Sequence, residues 1–255
     1  MAIQRAILLI ADIGGYTRFM KVHRYNLTHA QNTVALLLET ILDAAKGLKL
    51  AKLEGDAAFL WMPVKDDASF ARANQVLIDV RRAFLDRQAT LVQDRMCNCD
   101  SCMQIEQLTL KFVAHEGEVA LQKVKKNTEL AGVDVILVHR MLKNDVPLKE
   151  YALLTDAMHA HLPPPVKALT VPIEHDFEGL GLTNTHYVDL TKLLETVPPT
   201  PPKPSFFRRV WAKIKFELAA IPYMLRMKEP CADFKDKPAM TGLPAGEPEK
   251  ILERS

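Results

Sequence analysis

Apolar and polar positions follow three patterns along this chain, and each predicts a different element. Residues 5–11 (RAILLIA) are apolar almost without interruption and bounded by polar residues, which predicts a strand buried on both faces at a sheet centre. Residues 48–62 (LKLAKLEGDAAFLWM) carry two short apolar runs, separated by the polar step Leu53-Glu54-Gly55-Asp56. That pattern predicts a hairpin turning at Gly55, which takes φ > 0 freely, with Lys52 and Asp56 held at the rim of a sheet. Helical spacing appears over residues 28–46, where Ala30, Val34, Leu37 or Leu38, Ile41 and Ala45 form a stripe behind a Thr28/Gln31 capping box and Gly47 closes the helix. It returns after Asp66-Asp67, with Phe70, Ala73, Leu77, Val80 and Phe84 as the stripe and Arg72, Arg81, Arg82 and Arg87 as a solvated face.

Further on, residues 107–113 and 119–124 read as a strand pair joined through residues 114–118 (AHEGE), and residues 127–144 as a third helix. Short strands are expected at 150–154, at 169–177 behind the stiff Pro163-Pro164-Pro165 segment, and at 187–190. The order strand, helix, strand, strand, helix, strand predicts an α+β fold, a ferredoxin-like antiparallel sheet with helices on one face. The other face or its rim is then left for a partner.

The composition changes near Val197, which divides the chain into a folded domain at 1–195, a Pro-rich linker at 196–204, an amphipathic helical segment at 205–228 and a flexible tail at 229–255. Phe207, Trp211, Ile214, Leu218 and Ile221 make one stripe of that C-terminal helix, beside Arg208, Arg209, Lys213 and Lys215, and Pro222 ends or kinks it. Packing on the folded domain or on a second protomer is the expected use of the stripe, with peripheral contact to an anionic membrane as the alternative.

Composition narrows the function classes. The chain has 255 residues, 48% hydrophobic and 25% charged, with a formal charge of +2, so it folds around a large core and lacks the dense basic surface of a nucleic-acid binder. No stretch is apolar for long enough to span a bilayer, and the N-terminal apolar run meets Asp12 too soon for a secretion signal, which places the protein in the cytoplasm, or at the inner membrane surface if residues 205–228 bind lipid. Of its four cysteines, Cys97, Cys99 and Cys102 sit in CNCDSC. They fit either free thiols in a reducing compartment or three ligands of a structural Zn²⁺ completed by Cys231 or a histidine. No HExxH pair, G-x-S-x-G elbow, P-loop or Rossmann fingerprint is present.

One polar feature interrupts the core pattern. The first strand ends in Asp12, followed by Gly14 and Gly15. A carboxylate there is costly unless a cation meets it or it bonds the amides of a turn, and the glycine N–H groups suit phosphate as well as they suit a turn.

These residues resemble a known family. Ala11-Asp12-Ile13-Gly14-Gly15-Tyr16-Thr17 is similar to the ADIxGFT motif of the class III adenylate and guanylate cyclases, and Lys52-Leu53-Glu54-Gly55-Asp56 to their KxxGD hairpin. His115-Glu116-Gly117-Glu118-Val119 resembles their HxGxV segment, and residues 132–141 resemble GxxVNxAARM, with Arg140 on the arginine. The resemblance covers roughly the first 190 residues, in the family's order. It implies a purine nucleotidyl cyclase that converts ATP, with GTP as the second choice, to the 3',5'-cyclic nucleotide and pyrophosphate. Asp12 and Asp56 stand where the family holds its Mg²⁺ or Mn²⁺, Lys52 and Glu129 where it reads the purine, and Arg140 where it steadies the triphosphate. The family shares these sites between protomers, so the resemblance also implies a homodimer. One position departs: the asparagine that orients the ribose falls on Ile136, which has no hydrogen-bonding group. That keeps open a second reading, a catalytically inactive signalling module that binds nucleotide, metal or a partner protein.

Overall fold

A computed structural model describes residues 3–22, 27–94, 100–125 and 127–193, together with Phe207, Val210, Trp211, Ile214 and Leu218. Contacts group residues 1–218 into one unit and 219–255 into another, and all described residues lie in the first. In chain order the elements are β1 (Ile3–Gly14), α1 (Tyr16–Val22), α2 (Leu27–Ala44), β2 (Lys49–Glu54), β3 (Ala57–Pro63), α3 (Asp67–Gln93) and α4 (Asp100–Met103). There follow β4 (Thr109–Val124), β5 (Asn127–Ala131), α5 (Val133–Arg140), β6 (Tyr151–Thr155), α6 (Asp156–Ala160), α7 (Pro164–Lys167), β7 (Thr170–Phe177), β8 (Gly181–Asp189) and α8 (Leu190–Leu193).

The strands form one sheet in the order β2-β3-β1-β4-β6-β8-β7, with β5 paired to the end of β4. Only β4 and β6 run parallel among these pairs. Its centre is β1, where Ala6 to Ala11 are wholly buried, as the unbroken apolar run requires. Because side chains alternate along a strand, Ile7, Leu9, Ala11 and Ile13 enter the core beneath α2 and α3, whereas Ala6, Leu8 and Ile10 enter a second core shared with Val138 and Met141. The predicted stripes of both long helices are buried in the first core, and Asp66 caps α3 by accepting from the Ser69 N–H. The α+β class is as expected, and the structure adds α5 to the second face. No helix among the described residues is long and apolar enough to cross a membrane.

Four local expectations are corrected. Residues 109–124 are one strand rather than a pair: the polar stretch His115-Glu116-Gly117-Glu118 continues in register with β1, so Gly117 lies opposite Ala6 and no turn forms. The helix expected at 127–144 is shorter, because residues 127–131 pair with β4 and Gly132, at φ 147°, breaks the chain before α5. Residues 164–167 coil into α7, with proline tolerated in its first turn. Arg81 is not solvated: it is buried, with Nη2 donating at 2.9 Å to Glu150, which also accepts from the Leu110 N–H.

A buried polar chain seats α5 on the sheet. His115 reaches Thr155 Oγ1 through Nδ1 (2.9 Å) and Asp134 Oδ1 through Nε2 (3.0 Å), and the other Asp134 oxygen accepts from the Glu118 N–H at 2.6 Å. The Asp134 carboxylate lies against Gly117, so a Cβ at that position would overlap it. Gly117→Ala is therefore expected to destabilise the protein by about 1–3 kcal/mol in urea unfolding. Adding Asp134→Ala should recover part of that loss, since the overlap with the carboxylate is removed and only that with the Cβ at position 134 remains; strictly additive losses would contradict the seating.

Candidate functional site

The site grows from the end of β1. Asp12 has the same strand parity as Ile10 and projects from the second face, and its neighbours across the sheet are Lys111 on β4 and Ala57 at the start of β3. Asp56 sits in the hairpin turn just before Ala57, where Gly55 takes φ 67° as predicted, and its carbonyl accepts from the Ile13 N–H at 3.1 Å. Two carboxylates and one ammonium thus meet at a strand end whose flanks are core.

Their electrostatics are coupled. Burial, and then the charge of Asp12, push the Asp56 carboxyl up to about 7, against the pull of Lys111. Lys111 Nζ donates to Asp12 Oδ2 at 2.9 Å. Burial lowers the Lys111 ammonium, but the Asp12 charge and hydrogen bond, with Tyr151 and Asp56 behind them, more than reverse this and hold it above the ordinary lysine value. Lys111 is the residue that sequence reasoning missed. Its signal was a lone cation at the inward parity of an otherwise apolar strand start, directly opposite Asp12.

The donor set suits a hard cation. Two carboxylates lie close, oxygen ligands match Mg²⁺ or Mn²⁺, and a bound cation would offset both the burial and the Asp12 charge that hold Asp56 high. Among the described residues no three His, Cys, Asp or Glu side chains group closely enough to hold a metal, so any further ligands come from outside this set. Gly14 ends β1 opposite Thr109, and Gly15, at φ 84°, turns the chain into α1.

The other predicted site residues stand on neighbouring elements. Lys52 lies on the edge strand β2, 3.6 Å from Glu54, and Glu54 reaches His139 of α5 at 3.3 Å. Arg140 closes α5 and pairs with Glu178 at 3.0 Å. Glu129 is exposed on β5 opposite Gln122. Ile136 is 51% exposed on α5. Of the cysteine cluster, Cys97 and Cys99 lie outside the described residues, and Cys102 on α4 has its Sγ 4.0 Å from His29 Nδ1.

Residues 34–151 match the family described as "Protein of unknown function (DUF2652)". Over 204 residues the chain is 52% identical to the "Uncharacterized protein Rv2561/Rv2562" of Mycobacterium tuberculosis (strain ATCC 25618 / H37Rv), covering 79% of this chain and 93% of that protein. Among solved structures it is similar to the guanylate cyclase domain of RhGC from Catenaria anguillulae in complex with GTP. The TM-score there is 0.55, at 16% identity over 74% of this chain and 98% of that one. It is also similar to a class III adenylyl cyclase-like ATP-binding protein from Pseudomonas aeruginosa. That match has a TM-score of 0.53 at 16% identity, over 66% of this chain and 36% of that one. The shared property at these identities is the fold, that of the class III nucleotidyl cyclase catalytic domain.

The raised Asp56 carboxyl sets a pH dependence. Between its ordinary value of 3.8 and about 7, the folded protein keeps a proton that the unfolded chain has released, so stability falls as pH rises through this window. Urea unfolding without divalent ions should show the wild type losing about 2 kcal/mol relative to Asp56→Asn between pH 5 and pH 8. A difference between the two proteins that does not change with pH would contradict the coupling.

Proposed function

We propose, from the premise that this chain belongs to the family of Rv2561/Rv2562 of Mycobacterium tuberculosis and has the class III cyclase fold, that it is a divergent purine nucleotidyl cyclase. It acts as a homodimer in the cytoplasm and converts ATP, in preference to GTP, to the 3',5'-cyclic nucleotide and pyrophosphate. The observation that carries this reading is the convergence of Asp12, Asp56 and Lys111 at the end of β1.

Asp12 and Asp56 are the residues that would hold Mg²⁺ or Mn²⁺, which when bound lowers the pKa of the 3'-hydroxyl and neutralises the leaving pyrophosphate. Lys111 compensates one carboxylate in the metal-free protein, and a triphosphate, with its greater negative charge, draws that ammonium away from Asp12. The amides of Gly14 and Gly15 lie beside the same strand end and donate to phosphate. Lys52 and Glu129 read the purine and Arg140 steadies the phosphates across the dimer. Lys52 and Arg140 are held by exposed pairs to Glu54 and Glu178, which contribute little and release readily. Dimer formation is favoured by exposed apolar side chains on β2 and α5, namely Leu50, Leu53, Val133 and Ile136. The CNCDSC cysteines, with Cys102 beside His29, are assigned to a structural Zn²⁺.

Ile136 favours the second reading, a cyclase-like module that binds nucleotide, metal or a partner protein without turnover. It offers no hydrogen bond where the family orients the ribose, a loss on the order of 3 kcal/mol of transition-state stabilisation. The test is cyclic nucleotide formation with Mn²⁺ and either purine triphosphate. Ile136→Asn is expected to raise the rate tenfold or more, because it supplies a donor and an acceptor at an exposed position. If wild type and a folded, dimeric Ile136→Asn are both silent, the enzyme reading falls and the binding module takes its place.

A further inference from the structure

Two buried histidines hold opposite ends of the α5 segment, and their ring nitrogens face different partners. His115 on β4 holds Asp134, at the start of α5, through Nε2. His175 on β7 stacks against Phe177 of the second core and meets the connection from α5 to β6, where the Asp145 N–H lies 3.4 Å from its Nε2. Each end of α5 thus rests on one imidazole.

The neighbours of His175 fix its tautomer. Its Nδ1 lies 3.0 Å from Thr185 Oγ1, and that hydroxyl donates its one hydrogen to the Ile173 carbonyl at 2.8 Å. The ring therefore donates from Nδ1, which leaves Nε2 as the lone pair that accepts from the Asp145 N–H. A second proton has no place there, because it would set an N–H on Nε2 against another N–H. His115 differs: its Nε2 faces a carboxylate and its Nδ1 the Thr155 hydroxyl, and both accept from a doubly protonated ring.

The surroundings of His175 favour the neutral form. Burial lowers its pKa from the ordinary 6.5, and the Asp145 charge offsets this only in part. From β8 the ring is faced by Thr183, Thr185 and Tyr187, whereas Glu174 and Asp176 of β7 have the opposite strand parity and are exposed. Arg140, which ends α5, pairs with Glu178 in the turn of the same hairpin. With the folded value lowered, stability held through this ring is complete above about pH 6.5 and is lost as pH falls below it.

We propose that His175 is an acid-released latch on the α5–β6 connection. Protonation at Nε2 replaces the bond to the Asp145 N–H with a repulsive contact and loosens the Arg140 end of α5, whereas the Asp134 end stays seated on His115.

Two measurements on the full chain test this. Long-range ¹H–¹⁵N NMR of the imidazoles at pH 7.5 should show His175 as the Nδ1–H tautomer, and an Nε2–H ring would overturn the proposal. Amide hydrogen exchange, corrected for the pH dependence of the chemical step, should show protection of Asp145 falling by about tenfold between pH 7.5 and pH 5. Protection of the Glu118 N–H, which Asp134 accepts, should not change. In His175→Gln, whose amide accepts and donates but takes up no proton, Asp145 protection should be the same at both pH values. Equal wild-type protection at the two pH values would contradict the latch, as would a parallel fall at Glu118, the mark of general loosening. A fall in His175→Gln as large as in the wild type would contradict it too, and the comparison of the two wild-type amides decides the matter even where that variant does not fold.

Discussion

A strand segment wholly buried on both faces must give way to polar residues somewhere, and in β1 the run Ala6 to Ala11 gives way at Asp12. Ala6 to Ala11 have no exposed surface, and the register of the sheet then decides what the charged side chain after them meets. On one side stands Lys111, on the other the Gly55 turn that carries Asp56. The backbone of Asp12 and Lys111 is held by the pairing of β1 with β4, and the Asp56 carbonyl accepts from the Ile13 N–H. The cluster is thus preorganised by backbone register rather than by side-chain packing, which is how a rigid scaffold holds unfavourable charge at a functional position.

The charges at this point do not balance in the metal-free protein. Lys111 pairs with Asp12, and burial together with the Asp12 charge leaves Asp56 holding a proton up to about pH 7. In the proposed function a divalent cation would take the place of that proton. The neighbouring surface has a different character: the β2 edge and α5 expose Leu50, Leu53, Val133 and Ile136 around the polar group of Lys52, Glu54 and His139. In the proposed function, an apolar residue at 136 suits association of that surface but has no hydrogen bond to give a bound sugar. The binding and chemical parts of the proposed function therefore separate at that residue.

Where local pattern and long-range pairing agree, the sequence was easy to read. The central strand, the Gly55 hairpin and the buried stripes of α2 and α3 follow directly from periodicity. Where they disagree, pairing won. His115-Glu116-Gly117-Glu118 looks like a connection because it is polar, yet β1 lies opposite and keeps it extended. Residues 127–131 have apolar spacing that also fits a helix, and the edge offered by β4 draws them into a strand. Arg81 and Lys111 were hidden for a related reason: a cation in an apolar context is legible as buried only once its acid, Glu150 or Asp12, is known to be adjacent. Asp12 and Asp56 could be named because their motifs resemble those of the cyclases; their coupling to Lys111 depends on the register of β4 against β1.

The central claim is that Asp12, Asp56 and Lys111 form a divalent-dependent nucleotide site, and calorimetric titration of the full chain with nonhydrolysable ATP and GTP analogues, with and without Mn²⁺, tests it most directly. The account predicts saturable binding that requires Mn²⁺ in the wild type and is lost in folded Asp12→Asn and Asp56→Asn. Mn²⁺-dependent binding of undiminished affinity in both variants would contradict it.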